Sequence, residues 1–420
     1  MKRNQMTDKP ALSVLNIGNE LLSGSTINRN LSLIGQKFAE FGIEPEIQLT
    51  VPDDPEKIAI SLKILSSKPG LIVSTGGLGP TSDDLTKKVI ADFFGLKLKY
   101  SKEIEKHIRN FWKRRTKAPA PKSIFNQAEV ISNAEIIKND NGTAPAFIIR
   151  DKKRKIIMLI LPGPPLEAMP ILEKYIKKLI VEAELPQIHC RKIFTSGLPE
   201  SIIENITKSI ISKTPSIIPA YCASSEGVRI YLKSKNCKML NQIADKLEKK
   251  LGNNKLSENA NNIFEELIMI LKDRMESLSI AESCTGGLIS KKITDIPGAS
   301  AIFKGAIVSY SNSVKNNLLN VATTTLKQFG AVSSQCAKEM LYGTKEIFKT
   351  DAAISVTGIA APDGGTKTKP IGLVFIGTNY KNKSEIRKYN FNGSREQIRE
   401  RATAAAINQL KDLLLETSPV

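Results

Sequence analysis

The sequence predicts an α/β protein with more than one domain, and three observations support this. Short apolar runs alternate with helical patterns in the first and last thirds of the chain, as in βαβ units. A chain of 420 residues is too long for one hydrophobic core. The stretch between the two thirds has a different pattern, typical of a small α+β module. We therefore predict an N-terminal domain over residues 1–170, a middle module over 171–255 with a linker to about residue 262, and a C-terminal domain over 263–420.

The predicted N-terminal domain alternates strands with helices. Strands are predicted at residues 12–17, 44–50, 71–75 and 158–161, and helices at 28–41, from Pro55, and at 84–94. A proline fits the first turn of a helix, where its missing N–H group is not needed. Strand–helix–strand units at this spacing predict a parallel sheet covered by helices on both faces, which gives three layers.

The other two parts follow from the same patterns. In the middle module we predict a helix at 171–183, a strand at 192–196, a helix after Pro199 and a strand at 228–233. Residues 252–262 are rich in Asn, Ser and Glu, which is typical of a linker. In the C-terminal domain, strands at 277–281, 303–310, 351–357 and 372–379 alternate with helices after Thr285, at 333–348 and from Ser394. This predicts a second α/β unit.

Composition excludes several classes of protein. The net charge is +19, but the basic residues are dispersed and aromatic residues make up only 5%, so an anionic substrate is favoured over nucleic acid as partner. The five cysteines are scattered without CxxC spacing, which disfavours a disulfide framework and a zinc site and fits a reducing cytoplasm. No apolar run approaches the roughly 20 residues that span a bilayer. The run at 11–17 is predicted as a strand, not as a signal-peptide core. A cytoplasmic protein without a membrane span is therefore expected.

Ser283 is the first candidate for chemistry. It lies in the run AESCTGG, between a predicted strand and a predicted helix. A sharp turn of this kind places a side chain beside free helical N–H groups, and substrate can approach the backbone closely at Thr285, Gly286 and Gly287. A nucleophile next to such donors is what acyl transfer requires. The alternative is that Ser283 or Thr285 only caps the helix, and Cys284 is a second candidate nucleophile.

Lys315 is the candidate base for this serine. The only histidines are His107 and His189, so a Ser-His-Asp triad within the C-terminal domain is excluded, and lysine is the usual substitute. The predicted strand ends at Tyr310 and Lys315 opens the next helix, which places both at the same sheet edge as Ser283. A lysine at a helix N-terminus beside other cations has a lowered pKa, which suits a base. The alternatives are a solvated lysine and an interfacial tyrosine.

Further polar residues end the next strand and open the last helix. Thr357 and Gly358 close the predicted strand at 351–357, and ordinary turn chemistry is the alternative there. Arg395 and Arg399 lie one helical turn apart, a spacing at which two guanidinium groups can hold a phosphate. The alternative is a solvated helix face.

A glycine-rich run, GGLGPTSDDLT, follows the predicted strand at 71–75. It is neither a dinucleotide fingerprint nor a P-loop, but it supplies backbone N–H groups for a phosphate. Carboxylates beside a phosphate indicate a divalent metal, with Mg²⁺ expected, because they would otherwise repel the anion. Glu20 ends the first strand at the same edge, and helix capping is the alternative for Asp83. The predicted substrate-binding residues are Gly76, Gly77, Gly79 and Thr81, and the predicted catalytic and metal-binding residues are Glu20, Asp83 and Asp84.

The C-terminal third resembles the CinA C-terminal (PncC) family of nicotinamide mononucleotide amidohydrolases. The matching runs are AESCTGG, PGASAIFKGAIVSYSN with the following Lys315, GAVS at 330–333, TGIA at 357–360 and KPIG at 369–372. The resemblance implies that Ser283 is the nucleophile, activated by Lys315 and Tyr310, with Thr357 in support. It implies that an arginine matching Arg395 or Arg399 binds the substrate phosphate, and it implies no cofactor here. Ala361 stands where this family usually has a second glycine.

The first 170 residues are similar to the CinA N-terminal domain, which is related to the MoaB/MogA molybdopterin-binding fold. The matching runs are IGNELLSG, GGLGPTSDDLT, NGTAPAF and LPGPPLE, and Ala146 stands where the family commonly has glycine. This resemblance implies metal-dependent hydrolysis of ADP-ribose at its pyrophosphate. The middle module resembles the KH-like connector of full-length members around 197–201, but it has no GXXG loop, so RNA binding is not predicted.

The leading prediction is a pyridine-nucleotide salvage enzyme. It would deamidate nicotinamide mononucleotide to nicotinate mononucleotide and ammonia in its C-terminal domain and cleave ADP-ribose in its N-terminal domain. Its expected partners are these small nucleotides and a second copy of the chain, the homodimer being implied by the resemblance only. One alternative is a non-catalytic CinA-type binding protein in competence or DNA processing. Another is a chain in which only one of the two domains is active.

Overall fold

The structure is a computed structural model that describes residues 9–81, 84–186, 188–212 and 214–417. It divides into two compact units, one that ends at Cys190 and one that begins at Arg191. The second unit includes the predicted C-terminal domain and residues 191–255 of the predicted middle module, whereas residues 171–190 of that module belong to the first unit. The three predicted domain boundaries stay a prediction. Among the described residues no helix is long and apolar enough to cross a membrane.

The described part of the first unit has a six-stranded sheet in the order β2–β1–β3–β8–β7–β6 and a small sheet of β4 and β5. The strands are β1 (Ala11–Ile17), β2 (Pro45–Val51), β3 (Gly70–Thr75), β4 (Leu98–Tyr100), β5 (Glu129–Ile131), β6 (Glu135–Ile137), β7 (Ala146–Asp151) and β8 (Ile156–Leu161). The helices are α1 (Asn19–Leu22), α2 (Arg29–Ala39), α3 (Pro55–Leu65), α4 (Thr86–Phe93), α5 (Lys102–Arg115) and α6 (Pro165–Glu182), with a 3-10 turn at Lys122–Ala128.

The six-stranded sheet is mixed, so the prediction of a parallel sheet was wrong in this respect. Strands β1, β2, β3 and β8 are parallel, but β7 runs antiparallel to β8, and β6 antiparallel to β7. Only residues 152–155 separate β7 from β8. A connection this short cannot make a crossover, so the chain reverses in a hairpin.

Helices cover both faces of this sheet, as the prediction expected. Val14 and Val73 belong to a core formed with α2 and α6, whereas their neighbours Leu15 and Ile72 belong to a core on the other face with α3, α4 and α5. Adjacent strand residues point to opposite faces, so each strand contributes to both cores. This arrangement leaves the carboxyl ends of β1 and β3 at one open edge, where the glycine-rich run begins.

The described part of the second unit has a three-stranded sheet in the order β10–β11–β9 and a five-stranded sheet in the order β13–β12–β14–β15–β16. The strands are β9 (His189–Thr195), β10 (Ile218–Ser224), β11 (Gly227–Ser234), β12 (Leu278–Glu282), β13 (Phe303–Val308), β14 (Ala352–Gly358), β15 (Leu373–Tyr380) and β16 (Lys383–Asn390). The helices are α7 (Glu200–Ile211), α8 (Cys237–Leu251), α9 (Ile263–Asp273), α10 (Leu288–Thr294), α11 (Asn312–Leu319), α12 (Thr323–Gln328), α13 (Ser334–Phe348) and α14 (Arg395–Glu416), with 3-10 turns at Gly252–Asn254 and Ala299–Ala301.

The five-stranded sheet is also mixed and it positions the predicted site. Strand β12 pairs in parallel with β13 and with β14, whereas β15 pairs antiparallel with both β14 and β16. Glu282, the last residue of β12, lies beside Val308 on one side and Val356 on the other. The carboxyl ends of three neighbouring strands therefore meet at one edge of this sheet.

The segment predicted as a linker packs against the rest of the unit. Leu256 is buried in the same core as Phe194, and its N–H donates to the Phe194 carbonyl at 2.8 Å. Asn262 caps α9 by accepting hydrogen bonds from the N–H groups of residues 264 and 265. Residues 252–262 are thus ordered by contacts on both sides.

Candidate active site

Ser283 and Lys315 meet at the edge where β12, β13 and β14 end. Ser283 follows β12 directly, and its N–H donates to the Val356 carbonyl of β14 at 2.9 Å, so the sheet fixes its backbone. Lys315 lies on α11 with only 1% of its surface exposed. Its Nζ is 3.0 Å from the Ser283 Oγ. The structure therefore brings together the two residues that the sequence proposed as nucleophile and base.

The surroundings of Lys315 favour its neutral form. Burial lowers the pKa of this lysine, and burial is the main cause, not the neighbouring cations that the sequence interpretation named. Among the described residues no carboxylate forms an ion pair with it. Its Nζ donates instead to the carbonyls of Ser309 at 2.6 Å and Tyr310 at 3.4 Å.

This arrangement has a direct chemical consequence. A neutral amine has two N–H groups and one lone pair. If the two N–H groups stay on the Ser309 and Tyr310 carbonyls, the lone pair is left for the third partner, the Ser283 hydroxyl. Ser283 can then donate its proton to Lys315, which is the arrangement that a general base requires.

Residues 283–287, here named the nucleophile turn, join β12 to α10. The sequence interpretation expected free helical N–H groups at this turn, but Glu282 occupies most of them. Its fully buried carboxylate accepts hydrogen bonds from the N–H groups of Gly287 at 2.9 Å, Ile289 at 3.2 Å and Ser290 at 3.0 Å. The sequence analysis did not predict that Glu282 caps the start of α10, although Glu282 belongs to the run AESCTGG.

Two N–H groups of the nucleophile turn remain without a partner within the described residues. The Gly286 N–H donates to the Ser283 carbonyl at 3.1 Å, and the Gly287 N–H donates to Glu282, so both glycine N–H groups are occupied. In the described chain, the Cys284 and Thr285 N–H groups make no hydrogen bond to another residue. These two amides, not those of the glycine pair, are the candidate donors for an oxyanion.

Cys284 lines the cleft beside Ser283 but it is a poor nucleophile. Burial raises the pKa of its thiol to about 12. The thiol is therefore protonated at neutral pH, whereas a cysteine nucleophile must be a thiolate. This favours Ser283 over Cys284.

The two predicted arginines have different surroundings. Arg395 lines the cleft, where its guanidinium donates to the Tyr310 hydroxyl at 3.0 Å and to the carbonyls of Ala360 at 3.0 Å and Ala361 at 3.2 Å. Arg399 does not line the cleft and donates to the Thr285 carbonyl at 2.6 and 3.2 Å. Of these two arginines, the structure thus brings only Arg395 to the cleft that Ser283 and Lys315 line.

The cleft itself has a volume of about 270 Å³. Thr357 and Gly358 line it from the end of β14, and the Thr357 hydroxyl donates to the Ala331 carbonyl at 2.8 Å. Tyr310 is 64% exposed at its rim and reaches Lys315 only through its own carbonyl.

Asp363 is the one carboxylate among the described lining residues, and the sequence interpretation did not propose it. Asp363 lies in the run PDGG, which the sequence analysis interpreted only as a turn.

Two departures from the glycine pattern produce no backbone strain. Neither Ala361 nor Ala146 has a positive φ, so neither position requires glycine in this structure. Ala146 is fully buried at the start of β7, where it pairs with Ile137.

A second cleft of about 520 Å³ lies at the open edge of the first unit. Gly76 and Gly77 turn the chain there with φ of 100° and 64°, and a side chain on either would collide with its neighbours. The N–H groups of Gly77 and Gly79 have no acceptor among the described residues. The predicted residues Gly76, Gly77, Gly79, Glu20 and Asp84 all line this cleft. Thr81 does not, and donates to Asp84 Oδ2 from its N–H at 2.9 Å.

The described carboxylates of this cleft are of the chemical type that a divalent metal binds. Glu20, Asp84 and the unforeseen Asp53 line it, and carboxylate oxygens are what Mg²⁺ prefers. Asp84 is held by Thr81, and Asp53 accepts from the Asn19 N–H at 3.0 Å. In the described part of the chain no three such side chains converge to hold a metal ion. Asp83 lies outside the described residues.

Comparisons with known proteins cover almost the whole chain. Residues 260–414 match the family model described as the CinA C-terminal domain, and residues 13–182 match the model described as "Probable molybdopterin binding domain". A CinA-like protein of Dictyoglomus thermophilum is 37% identical over 408 residues, which covers 96% of this chain and 98% of that protein. A CinA-like protein of Thermosipho melanesiensis is 40% identical over 409 residues, with 96% and 98% covered.

Among solved structures, the competence/damage inducible protein CihA from Agrobacterium tumefaciens is 37% identical, with a TM-score of 0.36. That match covers 36% of this chain and 93% of the other.

Proposed function

The chain belongs to the CinA family, and from this premise we propose that its C-terminal site hydrolyses the carboxamide of nicotinamide mononucleotide. The products are nicotinate mononucleotide and ammonia. The observation that carries the proposal is the 3.0 Å contact between the Ser283 Oγ and the buried Lys315 Nζ, in a domain without histidine.

Acylation begins with attack of the Ser283 oxygen on the carboxamide carbon, while the hydroxyl proton passes to Lys315. The carbonyl oxygen becomes an oxyanion, which the free N–H groups of Cys284 and Thr285 would stabilise. Collapse of this tetrahedral intermediate breaks the carbon–nitrogen bond. The leaving nitrogen takes the proton from Lys315 and departs as ammonia, so that Lys315 is again neutral.

Deacylation repeats these steps with water. Lys315 removes a proton from water, the hydroxide adds to the ester carbon, and the second intermediate releases the Ser283 oxygen, which recovers its proton. The product is a carboxylic acid, which loses its proton to water and is released as the carboxylate. Arg395 is the residue for the substrate phosphate, because it is the guanidinium that lines the cleft and Tyr310 holds it there.

The test is ammonia release from nicotinamide mononucleotide by the wild type, Ser283→Ala and Ser384→Ala. Ser384 is exposed on β16, so its variant is a matched control and is expected to keep the wild-type rate. Ser283→Ala is expected to lose activity while thermal unfolding stays cooperative. Comparable rates in Ser283→Ala and the wild type would refute the serine mechanism. No ammonia from the wild type, with salt-steep DNA binding that Ser283→Ala leaves intact, would favour the non-catalytic alternative.

A second proposed activity concerns the N-terminal cleft, where free backbone N–H groups and three carboxylates face one space. We propose metal-dependent hydrolysis of ADP-ribose at its pyrophosphate, giving AMP and ribose 5-phosphate. With Mg²⁺, Asp84→Asn is expected to lower AMP release, and the exposed Asp92→Asn on α4 is the control. Equal rates in the presence of EDTA would contradict a metal requirement. The homodimer stays a prediction, which light scattering would test.

A further inference from the structure

Arg399 lies one helical turn from Arg395 but does not line the cleft. We propose that Arg399 is a positioning residue, and this proposal rests on the proposed amide hydrolysis. It holds the nucleophile turn from the side away from the cleft and polarises the Cys284 N–H group, which is the main oxyanion donor.

The contacts of Arg399 support this role. Two of its nitrogens, Nη2 at 2.6 Å and Nε at 3.2 Å, donate to the same carbonyl oxygen, that of Thr285. A Cβ on Gly286 would lie 3.4 Å from the Arg399 Nη2, so the guanidinium packs directly against the turn. A partly buried guanidinium that gives two donors to one backbone oxygen makes a strong charge-assisted bond.

From Thr285 the effect passes through two peptide groups. The peptide between Thr285 and Gly286 accepts from Arg399 at its oxygen and donates from its nitrogen to the Ser283 carbonyl, at 3.1 Å. The peptide between Ser283 and Cys284 accepts that bond at its oxygen, and its nitrogen is the Cys284 N–H. Hydrogen bonds in series polarise one another, by perhaps about 10–30% per bond. A positive charge at one end therefore makes the free N–H at the other end a stronger donor.

The other end of the turn is fixed independently. The Glu282 carboxylate holds the Gly287 N–H at 2.9 Å, and the Glu282 carbonyl accepts from the Ser309 N–H at 2.7 Å. With both ends held, the Cys284 N–H is free in the described chain and belongs to a residue that lines the cleft. Preorganised donors of this kind cost no reorganisation during the reaction.

The test compares Arg399→Met, Arg399→Lys and Arg401→Met with the wild type, on nicotinamide mononucleotide and on the riboside that lacks the phosphate. Arg401 is exposed on the same helix and is the matched control, expected to leave the kinetics as in the wild type. Loss of a complete oxyanion donor costs about 10²–10³ in kcat, and a change of about 10–30% in the strength of that bond corresponds to a loss of about 2 to 8-fold. We expect this drop in kcat on both substrates for Arg399→Met, KM within about twofold, and partial recovery in Arg399→Lys, which keeps the charge.

A phosphate ligand would behave differently. Arg395→Lys is expected to raise KM for the nucleotide more than for the riboside, and Arg399→Met is not. A second readout uses pyridine-3-boronic acid: the Ser283 oxygen adds to boron, its proton goes to Lys315, and boron becomes a tetrahedral anion that mimics the intermediate. Arg399→Met is expected to weaken the binding of this inhibitor by about the same factor as it lowers kcat.

The outcomes separate the two proposals. A wild type that releases no ammonia refutes the proposed function and this inference with it. An active wild type in which Arg399→Met behaves like Arg401→Met refutes only the inference. A loss confined to the phosphorylated substrate also refutes it, because it would make Arg399 a phosphate ligand. If Arg399→Met fails to fold, Arg399→Lys decides: a kcat deficit without a KM change supports the role, and wild-type kinetics with unchanged boronate affinity overturn it.

Discussion

Replacing Lys315 by methionine removes the amine but keeps an unbranched side chain of similar length. Within the described chain, the Ser283 hydroxyl has no hydrogen-bond partner other than the Lys315 Nζ, at 3.0 Å, so no second base can substitute. General base catalysis contributes about 10²–10⁴ in rate, which is about 3–5 kcal/mol of barrier. Because there is no alternative proton acceptor, we expect Lys315→Met to lie near the upper end, about 10³–10⁴ below the wild type in kcat/KM.

A double-substitution cycle makes this prediction sharper. If Ser283 and Lys315 act as one unit, Ser283→Ala already removes everything that Lys315 contributes to the chemistry. The double variant Ser283→Ala, Lys315→Met should then be no slower than Ser283→Ala alone, since residues that act together are strongly non-additive. Independent roles would instead multiply the two losses.

Ammonia release under kcat/KM conditions measures all four corners of the cycle, and urea unfolding checks the fold. Lys315→Met leaves the Ser309 carbonyl without its donor, a cost of about 1–3 kcal/mol, but it also removes the cost of burying an ammonium group. These two effects oppose each other, so the free energy of unfolding should change little. Two results would refute Lys315 as the base: a kcat/KM of Lys315→Met within tenfold of the wild type, or a double variant whose loss in kcat/KM is the product of the two single losses.

Three further predictions concern pH, the helix cap and the neighbouring thiol. Because burial lowers the pKa of Lys315, kcat/KM should rise with pH to a plateau reached below the ordinary lysine pKa of about 10.4. The free energy of unfolding should rise between the lowered pKa and the ordinary one, since the unfolded lysine there binds a proton that the buried one has lost. A limb at the ordinary value in the pH profile would contradict this. Glu282→Gln should destabilise the protein by about 2–3 kcal/mol in urea unfolding, because an amide cannot accept all the bonds of the buried carboxylate, and a stability like that of the wild type would count against its capping role. Iodoacetamide at pH 7.5 should alkylate the exposed Cys222 but not Cys284, whose pKa is raised to about 12, and mass spectrometry showing rapid labelling of Cys284 would reopen it as the nucleophile.

The sequence was enough to predict that Ser283 and Lys315, the two proposed reacting groups, lie at one edge of a sheet. Ser283 and Lys315 each follow an apolar run, and the carboxyl ends of parallel strands gather at one edge of a sheet. The absence of histidine beyond residue 189 then left lysine as the base. This reasoning used strand ends and composition, and it left a capping serine and a solvated lysine as alternatives until the family resemblance was added.

The fold was predicted less well where pairing depends on distant residues or weak patterns. No strand was predicted at β7, although its apolar run was present, so the hairpin from β7 to β8 and the mixed character of the first sheet were missed. Helix α8 was also missed, although its buried residues follow helical spacing and the signal was present. These residues are Leu240, Ile243, Ala244, Leu247 and Leu251. Asp53 was overlooked too, although it follows β2 at the same edge as Glu20 and could have been found from its position after a strand.

What no pattern could show is which charged residues bind backbone atoms. In the sequence, Glu282 and Arg399 resemble many other charged residues, and Arg399 has the same spacing to Arg395 as a phosphate-binding pair. Their partners are N–H and carbonyl groups of the nucleophile turn, and every residue has such groups, so composition and spacing give no information about the contact. Glu282 occupies the Gly287 N–H and the Ser283 carbonyl occupies the Gly286 N–H, so the N–H groups of Cys284 and Thr285 are left over for a reacting carbonyl oxygen. The choice of oxyanion donor is therefore a property of the folded turn, and it could be derived only by following each backbone hydrogen bond to its partner.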